Sequence, residues 1–152
     1  MSGRFAQYPS LADRGVFVTG GGSGIGASVV EHFCAQCARV TFVDVAEAAS
    51  TALCARIRDA GMSPPTFIGC DLRDIAALQA IVKRVGEDSG PITVLVNNAA
   101  NDDRHKATDV TLEYWNDRIA VNLRHQFFAA QAVYPQMKAA GGGSIVNFGS
   151  IS

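Results

Sequence analysis

The sequence predicts an α/β domain in which a doubly wound parallel sheet carries helices on both faces. Short apolar segments rich in valine and isoleucine alternate with amphipathic segments of helical period along the chain. Strands that are buried on both faces lack polar alternation, and strands that alternate with helices pair in parallel. Glycine and proline residues stand between the segments, where elements end. The 152 residues have room for one domain of ordinary size.

Five apolar segments predict strands because each is too short to form a helix. They lie at Gly15–Thr19, 39–43, 66–70, 92–96 and 144–148. Four segments between them repeat apolar residues at helical spacing, and they predict helices over 25–37, 46–60, 75–87 and 112–138. The last segment is long for one helix, and Pro135 is expected to end it or to kink its final turn.

Composition and charge exclude several classes of partner. The formal net charge of −1 gives no electrostatic reason to expect nucleic acid or an anionic membrane as a partner. The first fifteen residues contain no apolar run typical of a signal peptide, and no segment approaches the roughly 18 apolar residues of a membrane span. We therefore expect a cytoplasmic protein.

The cysteines are interpreted as packing residues. Cys34 and Cys37 form a C-x-x-C pair, a pattern that can bind zinc or carry redox chemistry. Both recur at helical spacing on the apolar side of a predicted helix, and no second pair with zinc-site spacing follows. We expect these two residues, together with Cys54 and Cys70, to be buried thiols in a reducing compartment, and we expect no metal site.

The first strand–helix joint carries the strongest chemical signal. Residues 19–26 read T-G-G-G-S-G-I-G between a predicted strand and a predicted helix. Glycines let a pyrophosphate approach the main chain, and a helix amino terminus offers N–H groups to the anion. Asp44 ends the second strand, where a carboxylate can accept hydrogen bonds from the adenosine ribose and repel a 2′-phosphate. The pattern predicts a Rossmann-type site that prefers NAD to NADP. The structural alternatives are an ordinary tight turn for the glycine loop and a helix N-cap for Asp44.

Together with four later motifs, this loop resembles that of the short-chain dehydrogenase/reductase family. The loop matches the family pattern T-G-x-x-x-G-x-G, and Asp71 after the third strand matches the aspartate that contacts adenine. Residues 97–100, N-N-A-A, look like the family's N-N-A-G, with a small residue in place of the last glycine. Asn122 in the long helix and Ser150 after the fifth strand align with the active-site asparagine and serine. The resemblance covers essentially the whole chain from Gly15 onward.

The resemblance implies how the site would work. Ser150 would hydrogen-bond the substrate oxygen, and Asn122 would bind a water that belongs to a proton relay. The structural alternatives are a turn residue at Ser150 and a cap on irregular backbone at Asn122. The cofactor would be NAD, and its implied contacts are Gly20, Ser23, Gly24, Ile25, Gly26, Asp44, Asp71, Leu72, Asn98 and Ala99.

In the family, a catalytic tyrosine and lysine in Y-x-x-x-K follow the serine, and this sequence ends at Ser152. The segment from Tyr134 to Lys138 has that spacing, but it precedes the serine strand and contains a proline, so we interpret it as structural. We expect Tyr134 and Met137 to pack at the helix end and Lys138 to face solvent. We therefore expect residues 1–152 to be a single NAD-binding domain that is truncated after its fifth strand. We expect no turnover from this chain alone.

The substrate is inferred from the loop NDDRHK at 101–106, which follows the fourth strand. Its hydrogen-bonding groups suit a polyhydroxylated substrate, although a solvated loop is the alternative. With VNLRH and NFGSIS, it resembles the branch of NAD-dependent pentose and aldose 1-dehydrogenases (xylose dehydrogenase-like), which oxidise the anomeric hydroxyl of a sugar. The predicted substrate contacts are Asp103, Arg104, His105 and Ser152.

Two other functions stay open: another secondary-alcohol dehydrogenase of the same family, and a non-catalytic NAD-binding fragment. The resemblance also implies that the complete protein is a homo-oligomer joined partly through the helix at 112–138.

Overall fold

The computed structural model describes residues 6–150, which form a five-stranded parallel sheet with helices on both faces. The strands are β1 (Gly15–Thr19), β2 (Arg39–Asp44), β3 (Thr66–Gly69), β4 (Ile92–Asn97) and β5 (Ser144–Asn147). They lie in the order β3-β2-β1-β4-β5, and every neighbouring pair is parallel. The predicted doubly wound α/β fold is confirmed. The strand order reverses direction at β1, and such a switch point is where ligands bind in open α/β sheets.

The helices follow the predicted segments, with one interruption. They are α1 (Gly24–Ala35), α2 (Glu47–Asp59), α3 (Ile75–Ser89), α4 (Leu112–Ile119) and α5 (His125–Ala139). The predicted long helix is α4 and α5 joined by a π-helical turn at Ala120–Arg124. Pro135 does not end α5, which continues to Ala139, because Val133 and Met137 on either side of the proline are buried in the core.

The core lies in two layers, one on each face of the sheet. On one face, Phe17 of β1 packs with residues of α3 and α5, such as Leu78 and Val133. On the other face, Val18 of β1 packs with residues of α1 and α2, such as Val30. Because side chains alternate along a strand, β1 contributes to both layers, and it is buried along its whole length.

The prediction that all five strands are buried on both faces is wrong for β5. Its four residues are exposed, including Ile145 and Val146. The reason is its place at the sheet edge, where β4 is its principal neighbour in the described chain. The prediction is also wrong for the opposite edge strand, β3, in which Phe67 and Ile68 are half-buried and Thr66 and Gly69 are exposed.

The cysteine prediction holds for Cys34 and Cys70, which are buried, while Cys54 is half-buried. It is wrong for Cys37, which is exposed and has φ of 61°. Helix α1 ends at Ala35, and the chain turns through a left-handed residue before β2. Burial raises the pKa of the Cys34 thiol to about 12. Within residues 6–150, no group of histidine, cysteine and acidic residues could hold a metal ion, and no helix is both long and apolar enough to cross a membrane.

Candidate cofactor and active site

A cleft of about 580 Å³ opens at the carboxyl ends of the central strands. All ten residues that the sequence predicted for the cofactor line it: Gly20, Ser23, Gly24, Ile25, Gly26, Asp44, Asp71, Leu72, Asn98 and Ala99. The sequence interpretation did not include the remaining lining residues: Val45, Cys70, Arg73, Ala100, Asn101, Asp102 and Val121. Most of them are immediate chain neighbours of predicted residues, which is the signal that could have identified them.

The glycine loop depends on close packing at two positions and on backbone conformation at a third. A Cβ atom on Gly26 would lie 1.9 Å from the Gly20 carbonyl oxygen, and one on Gly20 would lie 2.7 Å from Ala99 Cα. Gly24 has open space around it but adopts φ of +53°, which favours glycine. The loop therefore brings the exposed first residues of α1, which include Ile25, to the cleft. A helix amino terminus in this position suits a pyrophosphate.

Asp44 holds the glycine loop to the end of β2. Its Oδ2 accepts a hydrogen bond from the Gly22 N–H at 2.8 Å, and its Oδ1 accepts one from the Ala46 N–H at 2.8 Å. The N-cap residue of α2 is Ala46, so the bond to Ala46 closes a turn before the helix and does not cap its first free N–H groups. The N-cap alternative is therefore wrong. Each carboxylate oxygen keeps a lone pair with which to accept a further hydrogen bond in the cleft.

Thr19 and Asn98 join the glycine loop to the end of β4. The Thr19 hydroxyl oxygen accepts hydrogen bonds from the N–H groups of Asn98, at 3.1 Å, and Ala99, at 3.3 Å. The Asn98 side-chain amide donates in return to the Gly20 carbonyl at 2.9 Å. These bonds place two lining segments side by side, and the buried Thr19 is a supporting residue that the sequence interpretation missed. Its position as the first residue of the loop motif was the available signal.

Asn122 lies in the π turn, and its amide binds the backbone of the loop after β4. Its Oδ1 accepts from the Asn101 N–H at 2.7 Å, and its Nδ2 donates to the Asn101 carbonyl at 2.9 Å. The Asn122 carbonyl accepts from the Gln126 side chain at 2.9 Å. Asn122 therefore supports backbone irregularity, the structural role that the sequence left open for it. Single π turns of this kind occur often at functional sites.

Arg73 ties the wall of the cleft to α4. Its guanidinium donates two hydrogen bonds to Asp117, at 2.6 and 3.2 Å, and one to Asp71 at 3.3 Å. The hydrogen bond with Asp117 is the main cause that raises the pKa of Arg73, and the same pair lowers the pKa of Asp117. Asp117 also lies 3.4 Å from Arg118. This chain of charges connects the predicted adenine contact with the helix that follows the substrate loop.

The substrate loop is held by α4. The Tyr114 hydroxyl donates to the Asp103 carbonyl at 2.7 Å, and the rings of Tyr114 and His105 lie 4.1 Å apart. Arg118 pairs with the Asp103 carboxylate at 3.7 Å. Asp103, Arg104 and His105 do not belong to the described lining of the cleft, whereas the two residues before them do. The loop is therefore anchored at the rim of the cleft, with its charged side chains exposed.

Ser150 follows β5 at the same edge of the sheet as the cleft. The Phe148 N–H donates to the Asn97 carbonyl at 2.9 Å, and the Asn97 side chain donates to Asn147 Oδ1 at 2.8 Å. These bonds place the segment that leads to Ser150 beside the end of β4. Ser150 is exposed and is not among the lining residues. Ser152 lies outside the described residues.

The segment from Tyr134 to Lys138 lies at the far end of the sheet. A Cβ atom on Gly143 would lie 2.5 Å from Met137 Cγ and 2.9 Å from the Thr93 carbonyl oxygen, so this end of α5 is next to the start of β4. Met137 is buried and Lys138 is exposed, as predicted. Tyr134 was expected to pack but is exposed, because it lies on the outer side of α5.

Comparison with known proteins identifies the family to which the chain belongs. The model of the short chain dehydrogenase family matches residues 14–152. The chain is 52% identical over 147 residues to a probable galactose dehydrogenase of Rhizobium meliloti and 50% identical over 147 residues to the D-xylose 1-dehydrogenase of Caulobacter vibrioides, covering 97% of this chain and 57% of each relative. The ligand-free Thermoplasma acidophilum aldohexose dehydrogenase superposes with a TM-score of 0.79 at 29% identity, over 94% of this chain and 51% of that one. The chain thus spans little more than half the length of these relatives, and it belongs to the short-chain dehydrogenase family.

Proposed function

We propose that this chain is the NAD-binding part of an enzyme that oxidises the anomeric hydroxyl of a sugar. The observation that carries the proposal is the cleft at the switch point, lined by all ten residues predicted for NAD. The substrate class is supported by the names of two relatives about 50% identical to this chain, a probable galactose dehydrogenase and a D-xylose 1-dehydrogenase.

The glycine loop and the lining side chains support a dinucleotide as the ligand of the cleft. A side chain at Gly26 would collide with the Gly20 carbonyl and the Asn98 amide, so the loop can keep this close packing only with glycine there. The amino terminus of α1 would bind the pyrophosphate, Asp44 the adenosine ribose, and Asp71 with Leu72 the adenine. NAD, when bound, supplies the hydride acceptor.

Asp44 is the basis for the preference for NAD over NADP. Its carboxylate is fixed by two backbone N–H groups, so it cannot turn away from a ligand without losing both hydrogen bonds. A 2′-phosphate beside this carboxylate would be repelled, and the ribose hydroxyls of NAD would find an acceptor.

On the substrate side, this chain would position the alcohol. The Ser150 hydroxyl would hydrogen-bond the substrate oxygen, and Asn122 would hold the Asn101 backbone that shapes the adjacent wall. No tyrosine lies among the cleft residues of the described chain. A positioned general base contributes roughly 10²–10⁴-fold to rate. We therefore propose that residues 1–152 alone do not turn over.

The substrate loop would supply partners for sugar hydroxyls. Each hydroxyl that leaves water needs a hydrogen-bonding partner, or its desolvation is uncompensated. Asp103 and His105 are held by contacts with α4, so their positions are set before substrate binds. Arg104 is exposed between them.

A chimera tests the function. Residues 1–152 would be joined to the corresponding carboxyl-terminal part of the Caulobacter vibrioides D-xylose 1-dehydrogenase, and the product assayed with NAD and NADP against aldoses, polyols, sterols and simple secondary alcohols. We expect oxidation of aldoses with NAD and loss of activity in the Ser150→Ala chimera. Activity confined to apolar alcohols would favour the other secondary-alcohol dehydrogenase. If residues 1–152 alone turned over substrate and lost this activity in Tyr134→Phe, Tyr134 would be the general base and its interpretation as a structural residue would be wrong.

The loop has its own test in the same chimera. Replacing Asp103, Arg104 and His105 together with alanine should raise KM for the sugar while NAD affinity stays nearly constant. An unchanged KM would make the loop a solvated surface. The matched control is Lys106→Ala, which changes an exposed charge at the end of the same loop.

We also propose that the complete protein is a cytoplasmic homo-oligomer that assembles partly through the α4–α5 segment. Large apolar side chains are exposed there, at Leu112, Trp115, Leu123 and Phe127. Exposed apolar surface of this kind is typical of interfaces. A monomer by analytical ultracentrifugation would contradict this part of the proposal.

A further inference from the structure

A buried histidine contacts the threonine that begins the glycine loop. His125 is the first residue of α5, directly after the π turn, and it is fully buried. Its Nε2 lies 3.3 Å from the Thr19 hydroxyl oxygen, and the two residues are 106 positions apart in the chain. Neither the cofactor contacts nor the substrate loop described above includes this residue.

The hydrogen bonds of Thr19 determine which proton His125 carries. A threonine hydroxyl has two lone pairs and one hydrogen. The N–H groups of Asn98 and Ala99 both donate to the Thr19 oxygen and occupy its lone pairs. The hydroxyl hydrogen is therefore the one that lies in the bond to His125, and Nε2 of the imidazole is the acceptor. The neutral ring then carries its hydrogen on Nδ1.

His125 also lies between two parts of the site. On one side, its bond to Thr19 orients the hydroxyl that holds Asn98 and Ala99, both of which line the cleft. On the other side, its backbone continues the π turn in which Asn122 binds the loop after β4. One imidazole thus joins the cofactor wall to the turn that supports the substrate side.

We propose that His125 is a positioning residue for NAD binding: in its neutral Nδ1–H form it accepts the Thr19 hydroxyl hydrogen and so orients the Asn98 and Ala99 backbone at the cleft. The inference rests on the proposed cofactor site. A protonated ring would have donors at both nitrogens, so its Nε2 could not accept from Thr19. It could only donate to the Thr19 oxygen, and it would then have to displace one of the two backbone hydrogen bonds.

The surroundings of the ring favour the neutral form. Burial lowers the pKa of His125, and the Val121 carbonyl opposes this effect only in part. Thr19, which His125 contacts on β1, carries no ionisable side chain, and neither do Asn98 and Ala99, which donate to Thr19. In the π turn, Arg124 donates to the Arg73 carbonyl at 3.2 Å, and no charged group acts on the His125 pKa.

The tautomer can be read directly. Imidazole ¹⁵N shifts of the ligand-free protein should show a protonated Nδ1 and an unprotonated Nε2 for His125 at neutral pH. An Nε2–H tautomer would overturn the proposal, and this measurement does not depend on any cofactor.

Two substitutions separate positioning from packing. In His125→Gln, an amide oxygen can replace the Nε2 acceptor, and the side chain does not titrate; His125→Phe keeps bulk and removes the acceptor. We expect the NAD dissociation constant to rise about tenfold in His125→Phe, because the Thr19 hydroxyl is left without an acceptor, and to stay near the native value in His125→Gln. His32→Gln, at an exposed histidine of α1, is the control.

The pH profile completes the test. NAD affinity of the native protein should stay constant through pH 6.5, the ordinary pKa of histidine, and fall only at lower pH, because burial lowers the pKa of His125. The fall should persist in His32→Gln and vanish in His125→Gln. An acid loss that persists in His125→Gln, or native affinity in His125→Phe, would overturn the role of His125. If His125→Phe does not fold, the pH dependence of NAD affinity in His125→Gln and the ¹⁵N measurement of the tautomer still test the proposal. A native protein that binds no NAD at any pH would instead overturn the proposed function.

Discussion

Replacing Gly26 with alanine tests whether the packing of the glycine loop forms the cofactor cleft. The new Cβ atom would lie 1.9 Å from the Gly20 carbonyl oxygen, whereas real Cβ contacts essentially never fall below 3.0 Å. The carbonyl must therefore retreat by about 1.1 Å. The same carbonyl accepts the 2.9 Å hydrogen bond from the Asn98 side chain, so a shift that relieves the clash also strains the link between the loop and β4.

The expected cost follows from three contributions. Overpacking at a site with backbone on the other side costs about 1–3 kcal/mol, and a lost hydrogen bond about 0.5–1.5 kcal/mol. Alanine is favoured over glycine in a helix by about 1 kcal/mol, and this gain applies because Gly26 lies in the first turn of α1. The steric contribution exceeds the gain, and we expect the free energy of unfolding to fall by about 2 kcal/mol.

Two glycines provide matched controls for this substitution. Gly24 and Gly61 both have positive φ and open space around them, so alanine there adds about 1–2 kcal/mol of backbone strain and no clash. Gly61 is not among the cleft residues, and Gly61→Ala should keep its NAD affinity. Urea denaturation and NAD titration would be measured for all three variants. A Gly26→Ala protein with native stability and native NAD affinity would refute the packing argument.

Three further predictions concern charged and titratable groups. The pKa of buried His125 is lowered, so the unfolded chain binds more protons than the folded chain below pH 6.5. The free energy of unfolding should therefore fall with acidification by up to about 1.4 kcal/mol per pH unit. In urea denaturation from pH 7.5 to 5, the free energy of unfolding of His125→Gln should depend less on pH. Arg73→Lys should weaken NAD binding because lysine cannot form both hydrogen bonds that Arg73 donates to Asp117. Adding Asp117→Asn to Arg73→Lys should weaken binding little further. Additive losses would show that the two residues do not act through their contact. Asp44→Asn should reduce the NAD to NADP preference in the chimera, and an unchanged ratio of kcat/KM would show that the carboxylate does not select the cofactor.

The predictions that succeeded rest on signals that are local in the chain. β1 was predicted with its observed bounds, Gly15–Thr19, because an uninterrupted apolar run between turn residues specifies a buried strand by itself. The ten residues predicted for the cofactor follow strand ends or begin helices, and they line one cleft because the carboxyl ends of parallel strands converge at one edge of the sheet. The family resemblance of these motifs was therefore enough to name residues that the parallel sheet brings to one cleft.

Only the tertiary structure decided the features that depend on contacts between distant segments. The bond between Thr19 and His125 joins residues 106 positions apart, and no periodic pattern carries information about such a pair. The exposure of β5 likewise depends on which strands and helices pack against it, and the exposure of Cys37 depends on where α1 ends. Apolar composition carries information about neither. From a helix, the side-chain amide of Asn122 could equally well contact solvent or backbone. It binds the backbone of Asn101 because the π turn places it against the loop after β4.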